Sequence, residues 1–281
     1  MKKIDVHCHT MKKIDIHCHT TPRKLEDLVV ASASLDTIAE KMQEHNIEKT
    51  VLLASYFPHK QSGISNYRLY HWIHNRQEFL MFGSLDFEHY FNQGYNELEE
   101  LAASHALHGI KIYTCYQNID LQSEKMQRVA QLAEKHTLPL MFHVGYSYSA
   151  MRTTGKISIA NTITPKDIAE IAQQYPRLPI IIAHMGKPFF DQLIEGVKNT
   201  ENLYADMSGL IDSKHDRSEI GESLEAIQRF VQECGSKKLL FGSDFPVQTH
   251  EDTIYFIENA GLNNEQKKDI YRNNAARLLN I

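Results

Sequence analysis

Two histidines separated by one residue recur at the start of this chain, where MKKIDVHCHT is followed at once by MKKIDIHCHT, copies that differ only at Val6 and Ile16. On a β-strand the two imidazoles of such a triplet project from the same side, because side chains alternate between faces. Two nitrogens on one face suit a metal ion. Three further residues each close or interrupt an aliphatic run that has no structural need of them: His143 ends LPLMFH, His184 ends LPIIIAH and Asp244 stands in LLFGSD. One such residue alone would read as a hydrogen-bonded histidine or a capping aspartate. Together with His17 and His19 they point to a metal site. Three imidazoles and one carboxylate, from His17, His19, His143 and Asp244, form an N3O donor set suited to one zinc ion first, with manganese, iron or cobalt as alternatives. An ion with an open position lowers the pKa of water towards ~7. Asp244 can then take a proton from that water and later deliver it to a leaving group, while His184 orients the water or polarises a substrate carbonyl.

Residues this far apart in sequence need a scaffold that gathers them. The runs KIDIHCH, KTVLLAS, FLMFGSLDF, GIKIYT, LPLMFHVG, LPIIIAHMG, NLYADMSGL and KLLFGSDFP are short and rich in aliphatic or aromatic residues, as buried parallel strands are. Between them lie segments with helical spacing, among them Leu35, Ile38, Ala39 and Met42, then Met126, Val129 and Ala133, then Ile168, Ile171, Ala172 and Tyr175. Thr164-Pro165-Lys166-Asp167 carries the start signals of a helix. Strand and helix alternating eight times predict an α/β fold, a single-domain (β/α)8 TIM barrel with its metal site at the C-terminal ends of the strands. The alternative is an open doubly wound sheet, which keeps its first and last strands apart. A metal shared by His17 on the first strand and Asp244 on the eighth requires closure.

Composition narrows the partners. The chain has 281 residues, 42% apolar and 23% charged, with a net charge of −5, which is ordinary for a globular protein. No basic, aromatic-laced tract would track phosphates, so no nucleic-acid partner is expected. No apolar run is long enough to span a bilayer, and the expected location is cytoplasmic. The four cysteines, Cys8, Cys18, Cys115 and Cys234, are scattered and read as reduced thiols. Of the sixteen histidines, His45, His71, His74, His105 and His136 fall among polar residues in helical segments and read as surface or interface side chains. The second HCH copy runs directly into the helix near Leu35, whereas use of the first would expose Ile14 and Ile16. Residues 1–10 are therefore expected to be a duplicated appendage, and residues 11–281 the barrel.

The ordered pieces IDIHCH, GIKIY, FHVG, YPRLPIIIAHMG, NLYADMSGL, FGSDFP and NNAARLLNI resemble the amidohydrolase superfamily in its amidohydrolase-related, metal-dependent branch. The resemblance covers almost the whole chain. It implies a (β/α)8 enzyme in which His17, His19, His143 and Asp244 bind the ion and His184 acts beside it. Members hydrolyse amides, lactones and related bonds, and some release carbon dioxide instead. Two-metal members carry a carboxylated lysine on the fourth strand, where this chain has Lys111. We read Lys111 as structural or substrate-contacting, with Asp15 as its partner, and expect one ion. Arg152 and Lys156 in the long connection after the fifth strand, with Lys187, could form a cationic rim for an anionic small-molecule substrate. The expected function is hydrolysis of a small amide, lactone or ester by a metal-activated water. Non-oxidative decarboxylation on the same site is the alternative, and a non-catalytic metal-binding barrel the third reading. A homo-oligomer is compatible with all three.

Overall fold

The computed structural model describes residues 11–21, 33–55, 63–145, 162–211 and 220–281. Eight strands, β1 (Lys13–Cys18), β2 (Ile47–Leu53), β3 (Phe79–Gly83), β4 (Gly109–Tyr113), β5 (Leu140–His143), β6 (Ile180–Ile182), β7 (Leu203–Asp206) and β8 (Leu239–Leu240), form one sheet in sequence order. Beyond the two residues of β8 the backbone keeps pairing with β1. Ile16 N–H donates to the Phe241 carbonyl at 3.0 Å, Asp244 N–H to that of His17 at 2.8 Å and His19 N–H to that of Phe245 at 2.7 Å. The last strand thus returns to the first, and the sheet is a (β/α)8 barrel rather than an open doubly wound sheet. Among the described residues one α-helix follows each strand before the next: α1 (Leu35–Glu44), α2 (Asn66–Ile73), α3 (Phe91–Ala103), α4 (Glu124–His136), α5 (Pro165–Gln174), α6 (Phe190–Lys198), α7 (Ile220–Cys234) and α8 (His250–Asn259). Two short helices, α9 (Asn264–Lys268) and α10 (Asn274–Leu279), complete the chain.

The chain packs as two compact units, but the divide falls inside β3 and β7, so neither is a separate domain. The first comprises the residues up to Leu53, Arg76–Leu80 and Asp206–Ile281. Its core holds Ile14, Ile16, Val51, Leu52, Phe241, Ile257 and Tyr271, all fully buried. β1 is drawn from the second HCH copy, with Lys13 opposite Ile47 and Asp15 opposite Thr50 on β2. α1 starts where the Ser34 side chain accepts from Thr37 N–H, and it buries Ile38 and Met42. The helix ends at His45, and Asn46 turns the chain into β2 at φ 55°. α8 begins with a capping box, the Asp252 carboxylate accepting from both the N–H and the hydroxyl of Thr249 at 3.1 and 2.7 Å. His45 is not a surface side chain: it is buried, with its ring stacked on that of His250 at 5.5 Å.

The second unit comprises Ala54–Asn75 and Met81–Ala205. Its strands pair in plain parallel register, Ile110 with Leu140, Leu140 with Ile180 and Ile180 with Leu203. All four side chains are fully buried, which is why these strands read as unbroken aliphatic runs and not as alternating ones. α4 packs Met126, Val129 and Ala133, and α5 packs Ile168, Ile171 and Ala172. The predicted start of α5 is present: Asp167 accepts from Thr164 N–H at 2.7 Å and from its hydroxyl at 2.8 Å.

Candidate metal centre

His17 stands near the end of β1 and is almost wholly buried. Its Nδ1 lies 2.9 Å from Asp206 Oδ2 and 2.9 Å from Ser208 Oγ. An ionised carboxylate only accepts, so Nδ1 carries the proton and Nε2 presents its lone pair. That lone pair faces Asp244 Oδ1 at 3.5 Å, and His19 Nε2 reaches the same oxygen at 3.3 Å. The three donor atoms of His17, His19 and Asp244 all lie within 4.8 Å of one another. Acceptors gathered at this spacing require a proton or a cation among them, and two imidazoles with a carboxylate are good ligands for a borderline divalent ion. The residues present therefore fit the ion. Asp206 adds the carboxylate–histidine pairing that orients metal-binding imidazoles.

Local backbone explains why the sequence can build this. Asp244 sits at φ 57°, in the left-handed region, which non-glycine residues occupy chiefly where surrounding structure holds them. Here the hold is Asp15, whose Oδ1 accepts from His17 N–H at 3.1 Å and from Ser243 N–H at 3.0 Å. Its other oxygen accepts from the Ser243 hydroxyl at 2.5 Å and lies 3.3 Å from His250 Nε2. A Cβ at Gly242 would stand only 3.0 Å from that of His17, a tight approach that glycine avoids. Cys18, between the two histidines, is fully buried; burial first, then the Asp15 and Asp244 carboxylates, push its thiol well above the ordinary range.

In the second unit, β5 ends at His143 and β6 is followed directly by Ala183 and His184. His184 Nε2 lies 3.2 Å from His143 Nδ1, the rings edge to face at 4.6 Å. Tyr116 meets the His143 ring edge to face at 5.4 Å, and the Thr114 hydroxyl donates to the His143 carbonyl. His184 and Met185 occupy left-handed backbone, at φ 59° and 48°. Lys111 is fully buried on β4, its ammonium 5.5 Å from the Tyr113 ring centre. Lys187 is buried as well. Arg152 and Lys156 lie outside the described residues, as do His7 and His9.

The sequence therefore indicated His17, His19 and Asp244, which the fold brings together, and His143 and His184, which it pairs. Asp206 and Ser208 were missed, although Asp206 closes the LYAD run of β7 as conspicuously as His143 closes β5. Tyr116 carried no signal in the sequence. The Asp15 carboxylate accepts from His17 and Ser243 and lies 3.3 Å from His250 Nε2.

The model of the Amidohydrolase family matches residues 4–281. The chain belongs to the amidohydrolase family. Three solved structures resemble this amidohydrolase in fold. A probable 2-pyrone-4,6-dicarboxylic acid hydrolase from Acinetobacter baumannii, crystallised with citric acid, aligns at TM-score 0.69 and 17% identity over 96% of this chain and 100% of its own. A 5-carboxyvanillate decarboxylase from Sphingomonas paucimobilis aligns at TM-score 0.72 and 15% identity over 97% and 100%. A dihydroxybenzoic acid decarboxylase from a Polaromonas species, with bound manganese and the inhibitor 2-nitroresorcinol, aligns at TM-score 0.67 and 16% identity over 96% and 97%. No curated protein sequence matches the chain.

Proposed function

We propose that this amidohydrolase is a metal-dependent hydrolase of a small carbonyl substrate, with His17, His19, His143 and Asp244 as ligands of one divalent ion, zinc before manganese, iron or cobalt. The observation that carries the reading is the His17 Nε2 lone pair, held towards Asp244 Oδ1 at 3.5 Å by the bond from Nδ1 to Asp206. When bound, the ion supplies Lewis acidity that makes water a nucleophile near neutral pH. Asp244 takes the proton of the attacking water and returns it to the leaving group. His184, fixed against His143, orients the water or the substrate carbonyl. Lys111 and Arg152 contact an anionic substrate or support the residues that do. The site acts on small molecules; among the described residues no helix is long and apolar enough to cross a membrane.

Decarboxylation is the second reading, favoured by decarboxylases among the structural relatives, two of which share the fold at 15% and 16% identity. The substrates named for these relatives all bear carboxylates, consistent with an anionic substrate for this chain. The test is a panel of lactones, amides and aryl carboxylates offered to zinc-loaded and manganese-loaded protein in 18O-labelled water. Solvent oxygen in the product supports the hydrolase; carbon dioxide release without it overturns hydrolysis in favour of decarboxylation. Turnover of neither kind, with an ion bound, would point to the non-catalytic barrel.

A further inference from the structure

Asp15 is fully buried, and its carboxylate accepts three hydrogen bonds. Oδ1 accepts from the backbone N–H of His17 at 3.1 Å and from that of Ser243 at 3.0 Å. Those two residues are a proposed ligand and the immediate neighbour of another. Oδ2 accepts from the Ser243 hydroxyl at 2.5 Å, and the same hydroxyl accepts from Phe245 N–H at 3.1 Å. The left-handed Asp244 is thus fixed on both sides by bonds that lead back to Asp15, while its own N–H donates to the His17 carbonyl at 2.8 Å. On the outer side stands His250, fully buried, its Nε2 3.3 Å from Oδ2 and its ring stacked between those of Phe245 at 5.1 Å and His45 at 5.5 Å.

A buried carboxylate is a poor way to gain stability, since packed apolar side chains of similar volume usually do as well or better. What it provides is direction: each charge-assisted bond is short and tolerates little displacement. We infer that Asp15 is a positioning residue that sets the separation of His17 and Asp244 by holding the backbone of both ligand-bearing segments, with His250 bracing the carboxylate from behind. This inference rests on the proposal that His17 and Asp244 bind the ion.

The test measures zinc affinity of the full chain by competition with a chromophoric chelator, beside the melting temperature of the zinc-free protein. Asp15→Ala should bind zinc 10- to 100-fold more weakly, the scale on which residues behind metal ligands act. Asp15→Asn, which keeps one acceptor oxygen for the two N–H groups, should recover part of that loss. Ser243→Ala, which retains Asp15 and both N–H bonds, should lose less than Asp15→Ala. Val51→Ala, a core change on β2, serves as the control for stability alone: it should lower the melting temperature with zinc affinity unchanged. If Asp15→Asn and Ser243→Ala bind zinc as the wild type does while melting lower, Asp15 is structural and the inference fails. If Asp15→Ala does not fold, those two variants still decide. Zinc binding unaltered when His7, His9, His17 and His19 are all replaced by alanine would instead overturn the metal assignment, and the positioning role with it.

Discussion

At the ends of β1, β7 and β8 the polar residues meet carboxylates bonded to N–H groups and to an imidazole, whereas at the ends of β5 and β6 two imidazoles meet edge to face with their ring nitrogens 3.2 Å apart. Asp206 fixes the His17 ring and Asp15 fixes the backbone on either side of it. His143 and His184 rest on each other, and His143 also meets Tyr116. A hydrogen bond to a charged group contributes about 1.5–3 kcal/mol and is lost with small misalignment. An edge-to-face ring contact contributes about 0.5–1.5 kcal/mol over a broad range of centroid distances. The first region therefore presents its ligands at set positions, whereas the second holds the proposed ligand His143 and its neighbour His184 with more latitude.

The sharpest way to break this comparison is to remove the first region's ligands. His17→Ala/His19→Ala should lose metal and turnover together, as chelation should, with zinc or manganese restoring activity only to the stripped wild type. His7→Ala/His9→Ala should leave both unchanged. Metal retained by the first double variant, and lost only when His7 and His9 are also replaced, would mean that the two copies exchange in the strand. Next in size, Asp244→Asn should lower kcat by at least ~100-fold, the scale for losing a positioned proton acceptor. Unchanged turnover at wild-type metal content would reduce Asp244 to a ligand.

Asp206→Ala should weaken metal binding about 10- to 100-fold, because the His17 ring loses the partner that sets its tautomer and orientation. The matching change in the second region, Tyr116→Ala, should lower kcat/KM by only about 2- to 10-fold, from the ring contact with His143 that it removes, and weaken metal binding much less than Asp206→Ala does. An effect of Tyr116→Ala on metal affinity as large as that of Asp206→Ala would erase the distinction drawn between the regions.

The smallest effect lies away from the strand ends. The hydrogen bond from His45, 3.1 Å away, holds the Glu251 carboxyl at about 2 instead of the usual 4.5. A depressed carboxylate stabilises the folded chain above its unfolded pKa, and the contribution disappears as pH falls from 4.5 towards about 2. Glu251 is half exposed, so solvent screens the pair and the gain is modest. Glu251→Gln should melt slightly below the wild type at pH 6, and the gap should close by pH 2. A gap that widens on acidification would reverse the sign of the pairing.

How much of this was legible beforehand depended on distance along the chain. Lys13–Cys18, Leu140–His143 and Ile180–Ile182 announce themselves as strands through local apolar runs. His143, Asp244 and the HCH triplet stand out because they break such runs, and a local break can be seen without the fold. His45 was misjudged because its neighbours in α1 are polar, while the residue that covers it, His250, belongs to α8.

The sequence by itself determined the element order, the identity of the five conspicuous strand-end residues and, through His17 on β1 and Asp244 on β8, the need for a sheet that returns to its first strand. Apolar periodicity and the cost of leaving aliphatic side chains in water are properties of short segments, and they survive without tertiary knowledge. Only the tertiary structure decided which groups orient those residues. Asp206 stands 189 positions from His17, and Asp15 stands 228 from Ser243. A carboxylate shows no sign in the linear chain of which distant N–H or imidazole it will meet, because directional bonds of about 3 Å form only after packing has brought the strands together.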